Sequence, residues 1–245
     1  MLSRRAMVAG VTGAAICRDR TAAQTSLDGI ELVTYDSAWA PINAVLFRPA
    51  PGAREGDLSG KGLVLLHGSG GAQDDVRLFT PGALALAARG CTCLMPNYYD
   101  ATPGQRRSSE VAARRWRRAI RDGALWLANQ PGLDSDGVAG LGFSRGAGLG
   151  LNVALADGGL SAFIAVAGGA VPERITHRPP VLMVFAEDDP VVPARRVRAA
   201  AASLRGEGVS VQTQVLASRL HRFADEDWRS VFQLAGDFIQ SARPL

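Results

Sequence analysis

From residue 62 onward the sequence alternates short apolar runs with longer segments of helical character, and this alternation narrows the choice of fold more than any other feature. The runs lie at 62–66, 91–95, 138–141, 162–167, 181–186 and 209–216. Runs this short and this apolar suit strands covered on both faces, the situation in a parallel sheet. Helical segments are predicted between them at 79–89, 109–130, 146–156 and 195–205, with a last one at 226–242. Ahead of these, two segments at 30–35 and 42–48 alternate apolar with polar residues and read as an antiparallel hairpin. The stretch 49–61, rich in Pro, Gly and charge, reads as a surface loop. The expected fold is therefore α/β: one doubly wound, mostly parallel sheet entered by an N-terminal antiparallel hairpin.

Composition agrees with one large core. The 245 residues are 47% hydrophobic and 20% charged, ordinary proportions for a globular domain. The formal charge of +4 sits mainly at the start, where Arg4, Arg5, Arg18 and Arg20 outweigh Asp19. No concentrated basic footprint remains for a nucleic-acid partner. The helix predicted at 109–130 carries Arg114, Arg115, Arg117, Arg118 and Arg121, while Trp116, Ile120 and Leu127 share one face. Most of those arginines are therefore expected to face solvent.

Residues 1–23 have the form of an export signal, with domain sequence expected from 24 to 245. The basic Arg4-Arg5 leads into an apolar run and then the small Ala22 and Ala23. Ser3-Arg4-Arg5 also resembles the opening of a twin-arginine signal. The run is too short to span a bilayer, so no integral membrane segment is expected; the chain is expected to be exported, periplasmic or secreted, if the leader is real, and cytoplasmic if these residues have no targeting role. Of three cysteines, Cys17 falls in this leader, and Cys91 and Cys93 alternate on one face of a predicted strand as small core residues. No Cys/His spacing suggests a metal, and no metal or organic cofactor is expected.

The chemistry concentrates in Gly142-Phe143-Ser144-Arg145-Gly146, a G-x-S-x-G between a predicted strand and a predicted helix. That setting lifts a serine hydroxyl out of a strained turn, and glycines on either side let strand and helix approach. A serine nucleophile needs a base. His177 precedes Pro179-Pro180 and a strand, so it belongs at the amino end of the sheet. His67 lies in the turn His67-Gly68-Ser69-Gly70-Gly71. His221 follows the last predicted strand at its carboxyl end, where ligands gather in such sheets. A carboxylate to orient it is available in Glu187-Asp188-Asp189, after the strand at 181–186. The N–H of Arg145 and that of Ser69 are candidate oxyanion donors. Tyr98, Tyr99 and Phe143, near strand ends, are candidates to line a substrate pocket.

The segments LVLLHGSGG (63–71), GLGFSRG (140–146), FAEDDPVVP (185–193) and His221-Arg222-Phe223 together resemble the dienelactone-hydrolase branch of the α/β hydrolases, over about 32–238. The resemblance implies a single-domain α/β-hydrolase fold and an acid four residues before Pro193, which is Asp189. Pro190 gives the same answer by fixing the backbone that follows Asp189. The name-giving enzymes of that branch use cysteine where this chain has Ser144, so the implied activity is hydrolysis of small carboxylic esters through an acyl-enzyme. Two other readings use the same residues: a thioesterase or perhydrolase, and a silent scaffold that only binds.

Overall fold

In the computed structural model, residues 26–27, 29–134 and 137–242 are described, and the expected export signal lies outside them. Nine strands form one sheet: β1 (Ser26–Leu27), β2 (Ile30–Ser37), β3 (Ala40–Phe47), β4 (Gly62–Leu66), β5 (Thr92–Pro96), β6 (Val138–Phe143), β7 (Phe163–Val166), β8 (Val181–Ala186) and β9 (Val211–Leu216). Their spatial order is β1-β2-β3-β5-β4-β6-β7-β8-β9. Every pairing from β5 to β9 is parallel, and β3 joins β5 antiparallel, so the hairpin enters through β5. Among the described residues five α-helices complete the α/β-hydrolase fold: α1 (Ala72–Ala88), α2 (Glu110–Ala128), α3 (Arg145–Asn152), α4 (Ala194–Gly206) and α5 (Asp225–Ser241).

The two faces of the sheet carry two cores, and the period of two along each strand sorts residues between them. On β4, Val64 and Leu66 join the core built with α2, α3 and α4, whereas Leu63 and Leu65 join the one built with α1 and α5. All five residues of β4 are buried, as a central parallel strand demands. Cys91 and Cys93 are free and buried in the second core.

Three local differences from the sequence reading have physical reasons. Helix α1 begins at Ala72, seven residues ahead of the expected start, because Gly71 (φ 103°) turns the chain directly into it and Asp74 and Asp75 occupy its first turn. Pro81 sits inside that helix and masks its continuity in the sequence. Helix α3 ends at Asn152 and continues as a π-helical turn, Val153–Asp157. On α2, Arg114 and Arg118 are exposed as expected, but Arg115, Arg117 and Arg121 are half-buried, and Arg117 donates to Asn152 Oδ1 at 2.9 Å.

Candidate active site

Ser144 occupies the turn between β6 and α3 with φ 52° and ψ −110°, a left-handed backbone that a non-glycine residue adopts only where the surroundings impose it. Those surroundings are backbone. A Cβ on Gly142 would lie 2.4 Å from Gly146 O, and one on Gly146 would lie 2.4 Å from Leu66 O. Strand, turn and helix are thus closer than any side chain would allow, and the serine hydroxyl is pushed beyond the carboxyl end of the sheet.

Two loops converge on it. The segment after β8 brings Asp189, and the segment after β9 brings His221. Nε2 of His221 lies 2.9 Å from Ser144 Oγ, and Nδ1 lies 2.8 Å from Asp189 Oδ2. The other carboxylate oxygen, Oδ1, accepts the N–H groups of Val191 and Val192 at 2.7 and 2.9 Å. Asp189 is buried and every lone-pair direction it uses is fixed. Asp188, by contrast, points outward to Arg219 at 3.5 Å. His177 lies away from this cluster, beside Gly158.

Ser69 and Arg145 line the same cavity as Ser144, a depression of about 620 Å³ that also meets Arg117, Asn152, Val192 and Arg196. The proposed pocket aromatics are placed differently from the sequence expectation. Tyr98 is fully buried and stacks on His67 with ring centroids 3.8 Å apart. Phe143 packs against His221 and Trp228, beneath the imidazole. Neither lines the cavity: Tyr98 sits in a short helical turn after β5 that packs it on His67 and Trp116, and Phe143 ends β6 on the face covered by Trp228 of α5. Tyr99 lies behind the turn that follows β4, and its hydroxyl donates to Ser69 O at 3.1 Å.

His67 is the buried histidine of that turn. Its Nδ1 carries a proton to Gly68 O at 2.8 Å. Burial, helped by the nearby charges of Arg145 and Arg106, lowers its pKa from 6.5 to about 4, so it is neutral under ordinary conditions.

Two residues have a place in the site that the sequence alone does not assign. Asp75, in the first turn of α1, accepts Gly68 N–H at 2.6 Å, and its second oxygen pairs with Arg222 at 2.8 Å. Burial raises its carboxyl pKa against the pull of those two partners. Arg222 is the neighbour of His221, so this pair ties the histidine loop to the turn after β4. A pairing across that much sequence has no local periodicity to betray it, and Asp75 precedes the helix predicted at 79–89, so its place on a buried helix face emerges only in the structure.

Fold and site together define an α/β hydrolase. The dienelactone hydrolase family model matches residues 44–236, and the chain belongs to that family, whose members are hydrolases acting on ester bonds. Among solved structures the chain is similar to a dienelactone hydrolase-like promiscuous phosphotriesterase from metagenomic libraries (TM-score 0.70, 21% identity, covering 87% of this chain and 98% of that one). It is also similar to a serine hydrolase without lid from Xanthomonas campestris (TM-score 0.67, 21% identity, 89% and 99% covered). A third is an esterase from Pyrobaculum calidifontis (TM-score 0.68, 18% identity, 86% and 85% covered). No curated protein sequence matches. No helix among the described residues is long and apolar enough to cross a membrane.

Proposed function

We propose that the protein hydrolyses small carboxylic esters through a covalent acyl-enzyme on Ser144. The observation that carries this is the continuous hydrogen-bonded chain from Ser144 Oγ through His221 to Asp189 at the end of a strained turn. In this reading His221 bears its proton on Nδ1, facing Asp189, which leaves Nε2 free to accept the proton of Ser144. Oγ attacks the ester carbonyl, and the oxyanion is held by the N–H groups of Arg145 and Ser69. His221 then protonates the leaving alcohol, and water repeats the sequence on the acyl group, returning Ser144.

The test is a panel of chromogenic esters of varied acyl length, run beside a fluorophosphonate probe. Wild type is expected to turn over and to gain the mass of one phosphonyl group on Ser144, and Ser144→Ala to do neither. Undiminished turnover by Ser144→Ala would overturn the serine mechanism; absence of labelling in wild type would favour a scaffold that only binds. We also propose that residues 1–23 direct export. Protein recovered from its native host is expected to start near Gln24, and an intact Met1 would refute this.

A further inference from the structure

The two proposed oxyanion donors belong to different elements, and something must hold them in register. Arg145 is the first residue of α3, and Ser69 lies in the glycine-rich turn between β4 and α1. Both N–H groups must meet one oxygen, and misplacement of about 1 Å is enough to forfeit as much as 100-fold in rate. The helix start is rigid. The turn is not rigid by its own sequence, since Gly68, Gly70 and Gly71 surround Ser69.

The structure meets this need with bonds to consecutive carbonyls. His67 O accepts from Tyr98 Oη at 2.7 Å, Gly68 O from His67 Nδ1 at 2.8 Å, Ser69 O from Tyr99 Oη at 3.1 Å and Gly70 O from Arg106 Nη1 at 3.2 Å. The Ser69 N–H shares a peptide plane with Gly68 O, which His67 holds, and the bond from Tyr99 to Ser69 O fixes the following plane, so that Ser69 is clamped on both sides and cannot rotate its N–H away. Among the described residues Tyr99 joins this turn to the nucleophile's element through a single side-chain atom: its hydroxyl also accepts a hydrogen bond from Arg145 Nη1. That guanidinium donates again to Arg106 O at 2.8 Å and lies over Trp116, 5.7 Å from the ring centroid. The Tyr99 ring cannot swing away, because it is wedged between His67 and Trp116 with centroids 4.7 and 4.9 Å distant.

We infer that the Tyr99 hydroxyl is the positioning group of the oxyanion site, fixing Ser69 through its carbonyl and Arg145 through its guanidinium. This gives the Arg145 side chain a structural task in place of substrate recognition. The inference rests on the reading of Ser144 as nucleophile with these two N–H groups as donors.

Tyr99→Phe keeps the ring and its packing and removes only the bridge. Its kcat is expected to fall about 10- to 100-fold with KM within about twofold, less than the loss of a whole donor. Affinity for a trifluoromethyl ketone, which binds serine hydrolases as an oxyanion, is expected to fall by the same factor as kcat/KM. Arg145→Met removes the bridge from the other side while keeping the backbone N–H, and the double variant is expected to lose little more than either single one. A merely structural Tyr99 would lower Tm and leave kcat and inhibitor affinity per folded enzyme at wild-type values, which overturns the inference. Additive losses in the double variant overturn it too. Should Tyr99→Phe fail to fold, Arg145→Met decides alone by the same two constants. Ser144→Ala separates this from the underlying reading: an active Ser144→Ala removes both, whereas an inactive Ser144→Ala beside a fully active Tyr99→Phe removes only the role of Tyr99.

Discussion

Oδ2 of Asp189 lies 2.8 Å from Nδ1 of His221 while its partner oxygen takes two backbone N–H groups, from Val191 and Val192. The arrangement leaves an amide no good choice. In Asp189→Asn the oxygen is held by Val191 and Val192, so the NH2 group must face Nδ1. That forces the proton onto Nε2, which then cannot accept from Ser144. A kcat loss on the order of 10³ to 10⁴ is expected. Asp188, exposed and paired with Arg219, is expected to cost less than roughly tenfold as Asn. Steady-state kinetics of both variants on one chromogenic ester, with circular dichroism to check folding, decides. The reverse ranking would show that the acid is Asp188.

Acid sensitivity is expected to trace to His67. Its folded pKa of about 4 lies below the ordinary 6.5, so the unfolded chain binds this proton first as pH falls. The stability linked to the neutral ring is fully present above about pH 6.5 and is lost progressively down to about pH 4, on the order of 3 kcal/mol over that window. Urea midpoints measured from pH 7.5 to 4 give the slope. His67→Gln cannot titrate and is expected to flatten it, at the cost of lower stability at neutral pH. An unchanged slope in that variant would assign the acid sensitivity elsewhere.

Two glycines of α3, just after the serine turn, are expected to respond in opposite directions to alanine. A Cβ on Gly146 meets the Leu66 and His67 carbonyls at 2.4 and 2.6 Å, with backbone on both sides and nothing flexible to yield. Gly146→Ala is expected to cost about 2 kcal/mol or more and to abolish activity. On Gly148 the nearest neighbour is Ala170 Cβ at 3.6 Å, an ordinary contact in a helix. Gly148→Ala is expected to stabilise by about 0.5–1 kcal/mol. Thermal unfolding of the two variants reads this directly, and a stabilised Gly146→Ala would contradict the close approach.

The parts of this molecule legible in the sequence are those governed by local rules. Each run from β4 to β8 announces itself by apolarity, whereas β9, expected to be covered like the rest, is a largely exposed edge strand carrying Gln212, Thr213 and Gln214; Ser144 is marked by glycines that only a strand–turn–helix junction requires. His221 and Asp189 were reachable because the carboxyl end of a parallel sheet gathers its loops in one place. What stayed hidden depends on contacts between distant segments. Tyr98, Tyr99 and Phe143 are aromatic residues at strand ends, and sequence alone cannot tell which way such a ring turns. The structure buries Tyr98 and Phe143 and gives Tyr99 to the Ser69 turn. The start of α1 was masked by Pro81, and two-residue β1 is too short to show a period.

The Asp75–Arg222 pair is a case where burial differs sharply between partners, and the two halves are expected to fail unequally. The Asp75 side chain is 1% exposed and that of Arg222 is 48% exposed. Removing the acid as Asp75→Asn leaves Arg222 able to turn to water, and the new amide oxygen can still accept Gly68 N–H, so the cost is about 1 kcal/mol. Removing the cation as Arg222→Gln strands a buried carboxylate. That costs on the order of 2–3 kcal/mol at pH 7, below the range for fully enclosed pairs because Arg222 was already partly hydrated. The second cost depends on pH. Burial already raises the Asp75 pKa, and loss of Arg222 removes a positive charge that opposes that rise. A carboxyl whose folded pKa lies above its unfolded value destabilises the protein at higher pH, and the penalty fades as pH falls through the folded value. The deficit of Arg222→Gln relative to wild type is therefore expected to shrink between pH 7 and pH 5, whereas that of Asp75→Asn does not shrink. Urea denaturation of wild type and both variants at the two pH values gives the comparison. If Asp75→Asn proves the costlier change at pH 7, the carboxylate is stabilising in its own right and Arg222 is dispensable to it.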